Sequence, residues 1–447
     1  MLKRKIEQYL EECLSTDNSK ILLVDGARQI GKSYIIREVG RRKFTNFVEI
    51  NLAKDKNGPK IFSEARTTED FYFRLAAVAG KKLKSKTDTL IFLDEIQAYP
   101  HLLTLLKFLK EDDKYTYIAS GSLLGVTLLQ TVSIPIGSIQ IKHMYQLDFE
   151  EFLWANGFGE MAIENLKEKF LSNTALDEPL HNRLLDLFKK YLLVGGMPDA
   201  VNEFISSRNI VKIRDIQNDI QHFYNLDATQ YDNERKLKIS KIYSLVPSYM
   251  ENKKKRIVYK DIENKDKRSK NYEDEFDYLT SSGIALDVKA VSAPKFPLVE
   301  SSSKNLIKLY YNDVGLLTNV LYRYSIDAVM NDTKSINLGS VYESVVAQEL
   351  KAHGHDLFYY DNKQKGEVDF IINDYGSLSV LPIEVKSGKD YQIHRALNSF
   401  STNAEYGIKR GVVLSNERTI LQKGIITYLP IYYVMFFGQA EQTGMLL

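Results

Sequence analysis

Gly26-Ala27-Arg28-Gln29-Ile30-Gly31-Lys32-Ser33 and Thr89-Leu90-Ile91-Phe92-Leu93-Asp94-Glu95 decide the fold of this 447-residue chain. The first stretch follows the apolar run Ile21-Leu22-Leu23-Val24 and leads into Tyr34-Ile35-Ile36-Arg37, so it reads as strand, loop, helix. In that setting the glycines let the backbone N–H groups turn inward around phosphates, with Lys32 reaching the outer ones and the Ser33 hydroxyl ligating Mg²⁺. The predicted cofactor cradle is therefore Gly26, Ala27, Arg28, Gln29, Ile30, Gly31, Lys32, Ser33 and Tyr34. The second stretch is a buried strand that delivers two carboxylates at its C-terminal end. Asp94 is expected to hold the metal, usually through water, and Glu95 to polarise the attacking water. Either half alone is commonplace; together and in this order they predict a site for ATP or a close relative.

Around these motifs the chain alternates strand-like and helical runs up to about residue 150. Thr45–Asn51, Tyr115–Ala119 and Ile139–Leu147 read as further strands, and Phe71–Leu83 and His101–Lys110 as helices. Such alternation favours a parallel sheet wrapped by helices on both faces, with ligands at the carboxyl ends of the strands. From 151 to 235 the strand signal disappears and Leu184, Leu187, Phe188, Tyr191 and Leu192 recur at helical spacing. Gly195-Gly196-Met197-Pro198 reads there as a helix stop and turn. Residues 236–330 read as short helices followed by strand-like pieces, a pattern that suits a winged-helix module. They carry the run Lys253-Lys254-Lys255-Arg256, followed by Lys260, Lys265, Lys267, Arg268 and Lys270. That run is a candidate DNA contact; its plainer reading is a solvated loop, since Glu251, Asp261, Glu263 and Asp266 dilute it.

Residues 331–447 change character again, with a helix over Leu338–Leu350 and strands at Asp356–Tyr360, Gly366–Ile372, Leu381–Val385 and Gly411–Leu414. Alternation on a strand puts Glu384 and Lys386 on one face, and a turn at Asn373–Gly376 brings Asp369 beside them. Asp369, Glu384 and the Val385 carbonyl are then placed to clamp a second divalent metal, with Glu343 as a further carboxylate and Lys386 orienting or deprotonating water. Asp, a gap, then Glu-x-Lys after an apolar strand is the spacing of restriction-endonuclease-like phosphodiesterases. The plainer reading is a surface salt bridge, but carboxylates inside apolar runs are costly without such a role.

Composition sets bounds on partners and compartment. The net charge of +2 leaves any nucleic-acid contact to a local patch. The single cysteine, Cys13, rules out an intramolecular disulfide framework and suits a reducing cytoplasm. The start of the chain turns charged at Lys3-Arg4-Lys5, and the apolar stretch Tyr428–Phe437 is too short to span a bilayer, so a cytoplasmic protein without membrane partners is expected.

With both constellations in view, the chain resembles prokaryotic AAA-like P-loop ATPases with a winged-helix region and a C-terminal restriction-endonuclease-like domain. The resemblance covers nearly all residues. Besides the two motif sets, it rests on Ser120-Gly121-Ser122, Phe149–Leu153, Gly195–Pro198 and Leu309–Leu316. It implies an AAA-like strand order, Ser120 or Ser122 as the sensor of the γ-phosphate, and a tendency to self-assemble. One departure is visible: relatives often carry Gly-Arg before the next strand, where this chain has Gly137-Ser138. A charge that helps hydrolysis is then expected from Arg28, from Arg37 or from a neighbouring subunit. Two functions follow as expectations. One is an Mg²⁺-dependent ATPase whose nucleotide state controls a DNA-handling, nuclease-like half. The other is a nucleotide-dependent switch that binds a protein partner through an inactive nuclease fold.

Overall fold

The computed structural model describes residues 2–15, 20–122, 137–228, 233–252, 255–263, 269–333, 336, 338–362, 364–388 and 394–438. Of the basic run, Lys253, Lys254, Lys265, Lys267 and Arg268 lie outside these residues. The contacts divide the chain into two compact units, Lys3–Gln146 with Ser281–Gly283, and Leu147–Thr280 with Ile284 onward.

The first unit is built on strands β1 (Ile21–Asp25), β2 (Asn46–Asn51), β3 (Thr89–Asp94), β4 (Thr116–Gly121) and β5 (Ile139–His143). They form one five-stranded sheet in the order β2-β3-β4-β1-β5, and every pairing is parallel. β1 and β3 are buried along their whole length, as a parallel sheet covered on both faces requires. On one face Leu23, Ile50, Ile91, Leu93 and Ala119 share a core with Phe71 and Leu75 of helix Thr68–Ala79 and Leu102 and Leu106 of helix His101–Asp112. The other face takes helix Lys32–Lys43 so closely that a Cβ on Gly40 would lie 2.6 Å from the Phe47 ring. The sheet, with helices on both sides, fits a P-loop fold.

The second unit opens on a capping box. Asp148 accepts from the Glu151 N–H at 2.9 Å while the Glu151 carboxylate reaches back to the Asp148 N–H, which starts helix Phe149–Ala155. Further helices include Glu178–Val194, Pro198–Ser207, Ile210–Ala228 and Asn233–Glu251. Its strands β6 (Ala285–Val291), β7 (Ser302–Tyr311), β8 (Phe358–Asn362), β9 (Gly366–Asp374), β10 (Ser379–Lys386), β11 (Gly411–Ser415), β12 (Leu421–Lys423) and β13 (Ile426–Pro430) make one mixed sheet in the order β12-β13-β11-β10-β9-β8-β6-β7. The strand-like pieces expected as a wing are thus β6 and β7, and β6 pairs parallel with β8 of the C-terminal segment. No break in the sheet falls at 330. Two stretches that the resemblance singled out also meet here. Asp313 caps helix Val314–Tyr322 and accepts from the Gly196 N–H at 2.6 Å, so the Gly195–Pro198 turn is docked on it.

Candidate functional site

The strand order decides which side chains converge. With β4 between β1 and β3, the loop after β1, the acids after β3 and the serines ending β4 open at one edge. Gly26 has φ 143° and Gly31 φ 93°, values an L side chain resists, and a Cβ on Gly26 would lie 2.2 Å from the Met144 carbonyl oxygen. Lys32 begins its helix and folds back over the loop, its Nζ donating to the Gly26 and Ala27 carbonyls at 2.8 and 2.6 Å. Burial pushes its ammonium down to about 8, against the pull of Glu95, Asp25 and Asp94.

Asp94 is 2% exposed and held from three strands or helices. Its Oδ1 accepts from Ser33 Oγ at 2.8 Å and Ser120 Oγ at 2.6 Å, and its Oδ2 accepts from Asn51 Nδ2 at 2.9 Å. Hydroxyl and carboxylate are hard oxygen donors, the set that suits Mg²⁺. Glu95 turns out of the strand with φ 56° and ψ 48°, a left-handed conformation that redirects its side chain. Its Oε2 accepts from Ser122 Oγ at 3.2 Å and from Gln97 Nε2. Ser122 Oγ in turn accepts from Arg28 Nε at 3.1 Å, which ties the loop to Glu95. Both sensor candidates are thus at the site, Ser120 on the metal-ligand acid and Ser122 on the water-polarising acid. Arg28 faces this cluster, whereas Arg37 is held in a two-bond ion pair with Glu49 at 2.7 and 2.8 Å. Asn51 and Gln97 were not singled out by the sequence; Asn51 stands level with Asp94 in the β2–β3 register, which a strand alignment alone could have revealed.

The second constellation assembles where β9 and β10 part. They pair antiparallel from Ser379↔Asp374 to Ile383↔Phe370. Beyond that point β9 continues against β8 and β10 against β11. The Val385 N–H donates to Asp369 Oδ2 at 2.8 Å, so a side chain fills the place of a ladder bond. Lys386 Nζ pairs with Glu384 Oε1 at 2.7 Å, and Tyr310 donates to Glu343 Oε2 at 3.3 Å. Burial, with repulsion from Glu384 and Glu343, drives the Asp369 carboxyl well above its ordinary range. Burial also raises Glu384, with Lys386 opposing. Burial works against ionising Glu343 too, yet Lys255 and Lys308 hold it below the ordinary range. Burial would lower Lys386, but Glu384 and Asp369 keep it raised.

Of the basic run, Lys255 reaches this site and Arg256 the neighbouring strands, while Lys260 is exposed. Lys255 pairs with Glu343, and Arg256 with Asp361 at 2.5 Å, each cationic side chain only 14% exposed. Lys308, missed in the sequence although it stands in the apolar strand Leu306-Ile307-Lys308-Leu309, is fully buried and pairs with Glu367 at 2.5 Å. Among the described residues no group of three or more His, Cys, Asp or Glu is disposed to hold a metal ion. Glu343, Asp369 and Glu384 as they stand do not form such a group. Among the described residues, no helix is long and apolar enough to cross a membrane.

Residues 18–153 match the AAA domain family. Residues 185–325 and 338–434 match two domains of unknown function, DUF8612 and DUF4143. No curated protein matches the chain. Among solved structures it is similar to the Walker-type ATPase PABY2304 of Pyrococcus abyssi, with 13% identity over 71% of this chain and 95% of that one, at a TM-score of 0.42. The Aeropyrum pernix ORC1 protein in complex with DNA gives 13% identity over 73% and 94%, at 0.32. AMPPCP-bound DnaA from Aquifex aeolicus gives 14% over 53% and 76%, at 0.28. At these scores the likenesses carry no argument. The family match and the site geometry together give an AAA-like ATPase domain that binds ATP.

Proposed function

We propose that this protein is an Mg²⁺-dependent ATPase whose nucleotide state controls a DNA-handling, nuclease-like half. The observation that carries it is the convergence of Lys32, Ser33, Asp94, Glu95 and Ser122 at the carboxyl end of one sheet, with Ser33 donating to Asp94 at 2.8 Å, Ser122 to Glu95 at 3.2 Å and Lys32 to the Gly26 carbonyl at 2.8 Å. The loop N–H groups, Gly26 through Tyr34, cradle the phosphates. Ser33 and Asp94 would hold Mg²⁺, which would neutralise charge on the phosphates. Glu95 orients water, Ser122 senses the γ-phosphate, and Arg28 supplies the cationic help that Gly137-Ser138 lacks. ATP orders these loops and hydrolysis releases them, the order-to-disorder switching that nucleotide sites use.

In this reading residues 1–150 are the ATPase domain. The spans 151–235, 236–330 and 331–447 mark a helical linker, a winged-helix-like segment and a restriction-endonuclose-like segment that share the second unit's framework. Asp369, Glu384, the Val385 carbonyl and Glu343 would be the oxygen donors of a second metal, which would supply Lewis-acid chemistry, and Lys386 would orient the attacking water. DNA is the partner, the ATPase domain self-assembles, and the protein works in the cytoplasm. The rival reading, a switch that binds a protein partner through an inactive nuclease fold, is favoured by one observation: Lys255 already neutralises Glu343. Cleavage assays on single- and double-stranded DNA with Mg²⁺ or Mn²⁺, with and without ATP, separate the two. Cleavage lost in Asp369→Ala and Lys386→Ala supports the nuclease; no cleavage by ATPase-active protein selects the switch.

A further inference from the structure

Arg4 belongs to the charged start Lys3-Arg4-Lys5, yet the fold turns it inward, 7% exposed, while Lys3 beside it is exposed. It is delivered by helix Lys5–Ser15, whose Leu10 is buried and whose Glu7 and Glu11 pair with Arg42 of helix Lys32–Lys43. Lys43 of that same helix donates to the Glu11 carbonyl at 2.6 Å. The helix that starts at the phosphate loop therefore anchors the helix that brings Arg4. From there the guanidinium spans two carbonyls. Its Nη1 donates to Ile30 at 3.0 Å, inside the loop, and its Nη2 donates to Tyr145 at 2.6 Å, just past β5.

We propose that Arg4 is a positioning residue for nucleotide binding, holding the Ile30–Gly31 peptide so that the Gly31 N–H faces the phosphates. The proposal rests on reading Gly26 through Tyr34 as the phosphate cradle. In a trans peptide the C=O and the following N–H point in opposite directions, so a carbonyl fixed on one side of the loop fixes the N–H on the other. Gly31 needs such a hold, because at φ 93° it has no side chain of its own to restrict it. Tyr145 supplies the fixed end. The preceding Met144 N–H donates to the Asp25 carbonyl at 2.8 Å, which ties this segment to β1 immediately before Gly26. A planar guanidinium can hold two carbonyls at a set separation, whereas an ammonium on a flexible stem is a single point. Arg4 thus acts through the Gly31 N–H, from the carbonyl side of the loop. An N–H bond to phosphate is made in the bound substrate and in the transition state alike, so its loss raises KM and spares kcat.

The test compares the full chain as wild type, Arg4→Gln and Arg4→Lys, with ATP and Mg²⁺. Arg4→Gln is expected to weaken ATP binding, read by calorimetry, and to raise KM, each by about tenfold, with kcat within about twofold of wild type. In protein labelled with ¹⁵N-glycine, the wild-type Gly31 amide is expected to move downfield when ATP binds, and in Arg4→Gln that shift is expected to shrink. Arg4→Lys keeps the charge but loses the two-point hold, so it is expected to stay severalfold weaker than wild type. Wild-type affinity with an unchanged Gly31 shift in folded Arg4→Gln overturns the proposal. Full recovery in Arg4→Lys overturns it too, since charge alone would then suffice, and so does a loss of kcat with KM unchanged. Should Arg4→Gln fail to fold, Arg4→Lys decides by the same readings. A wild type that binds no ATP would overturn the nucleotide reading and this proposal together, whereas unaffected variants of an ATP-binding wild type overturn the role of Arg4 alone.

Discussion

Lys32 shows how one residue sets a measurable property. Its ammonium is buried under its own loop, donates to two loop carbonyls, and has its pKa pushed from 10.5 down to about 8. The folded group is depressed below its unfolded value. Below about pH 8 both states are protonated and the buried charge is a constant cost. Between about 8 and 10.5 the unfolded chain binds the extra proton, so stability of the free protein rises with pH across that window. Phosphates reverse the preference, because they favour the charged lysine. ATP binding therefore takes up a proton above about pH 8, and affinity falls there by up to about tenfold per pH unit, while staying level below it. Titration with a fluorescent ATP analogue at constant ionic strength checks this; an affinity that does not change through the window contradicts it. The residue types at this site were legible because phosphate binding fixes their spacing in the chain. Asn51 and Gln97 were not, since each reaches the chemistry only through folding.

At the scale of elements, the docking of the Gly195–Pro198 turn on the Asp313 cap explains why glycines stand there. A Cβ on Gly195 would lie 2.1 Å from Asp313 Oδ1, and one on Gly196 would lie 1.9 Å from the Leu147 carbonyl oxygen. A backbone oxygen cannot swing aside, so Gly196→Ala is expected to destabilise the second unit by about 2–3 kcal/mol, the cost of overpacking. Gly376→Ala serves as its control. That glycine is exposed in a turn and its Cβ would meet nothing closer than 3.5 Å, so a change within about 0.5 kcal/mol is expected. Urea unfolding of both variants decides; equal midpoints would show that the turn is not held as described. The sequence reading of this turn as a helix stop was sound, because Gly-Gly and Pro act locally. Its partner Asp313 lies far along the chain, and no local rule connects the two. The same limit applies to β6 and β7. The segment read as ending in strand-like pieces, but the parallel pairing of β6 with β8 joins residues as distant as Lys289 and Phe358, where periodicity carries no information.

For the whole molecule, the parallel sheet of the first unit was legible because strand, loop and helix alternate and the motifs mark strand ends. The mixed sheet of the second unit was legible in most of its strands but not in its order. In the basic run, Lys255 and Arg256 turn to carboxylates of the second unit, Lys255 to the buried Glu343 and Arg256 to the half-buried Asp361, while Lys260 is exposed; a lysine's charge does not say which partner the fold will bring. The central claim remains the nucleotide site, and one comparison tests it most directly: ATP binding and phosphate release measured side by side for wild type, Lys32→Ala and Glu95→Gln. The account predicts that Lys32→Ala loses binding, while Glu95→Gln binds ATP and fails to turn it over. Wild-type phosphate release in both variants would contradict it.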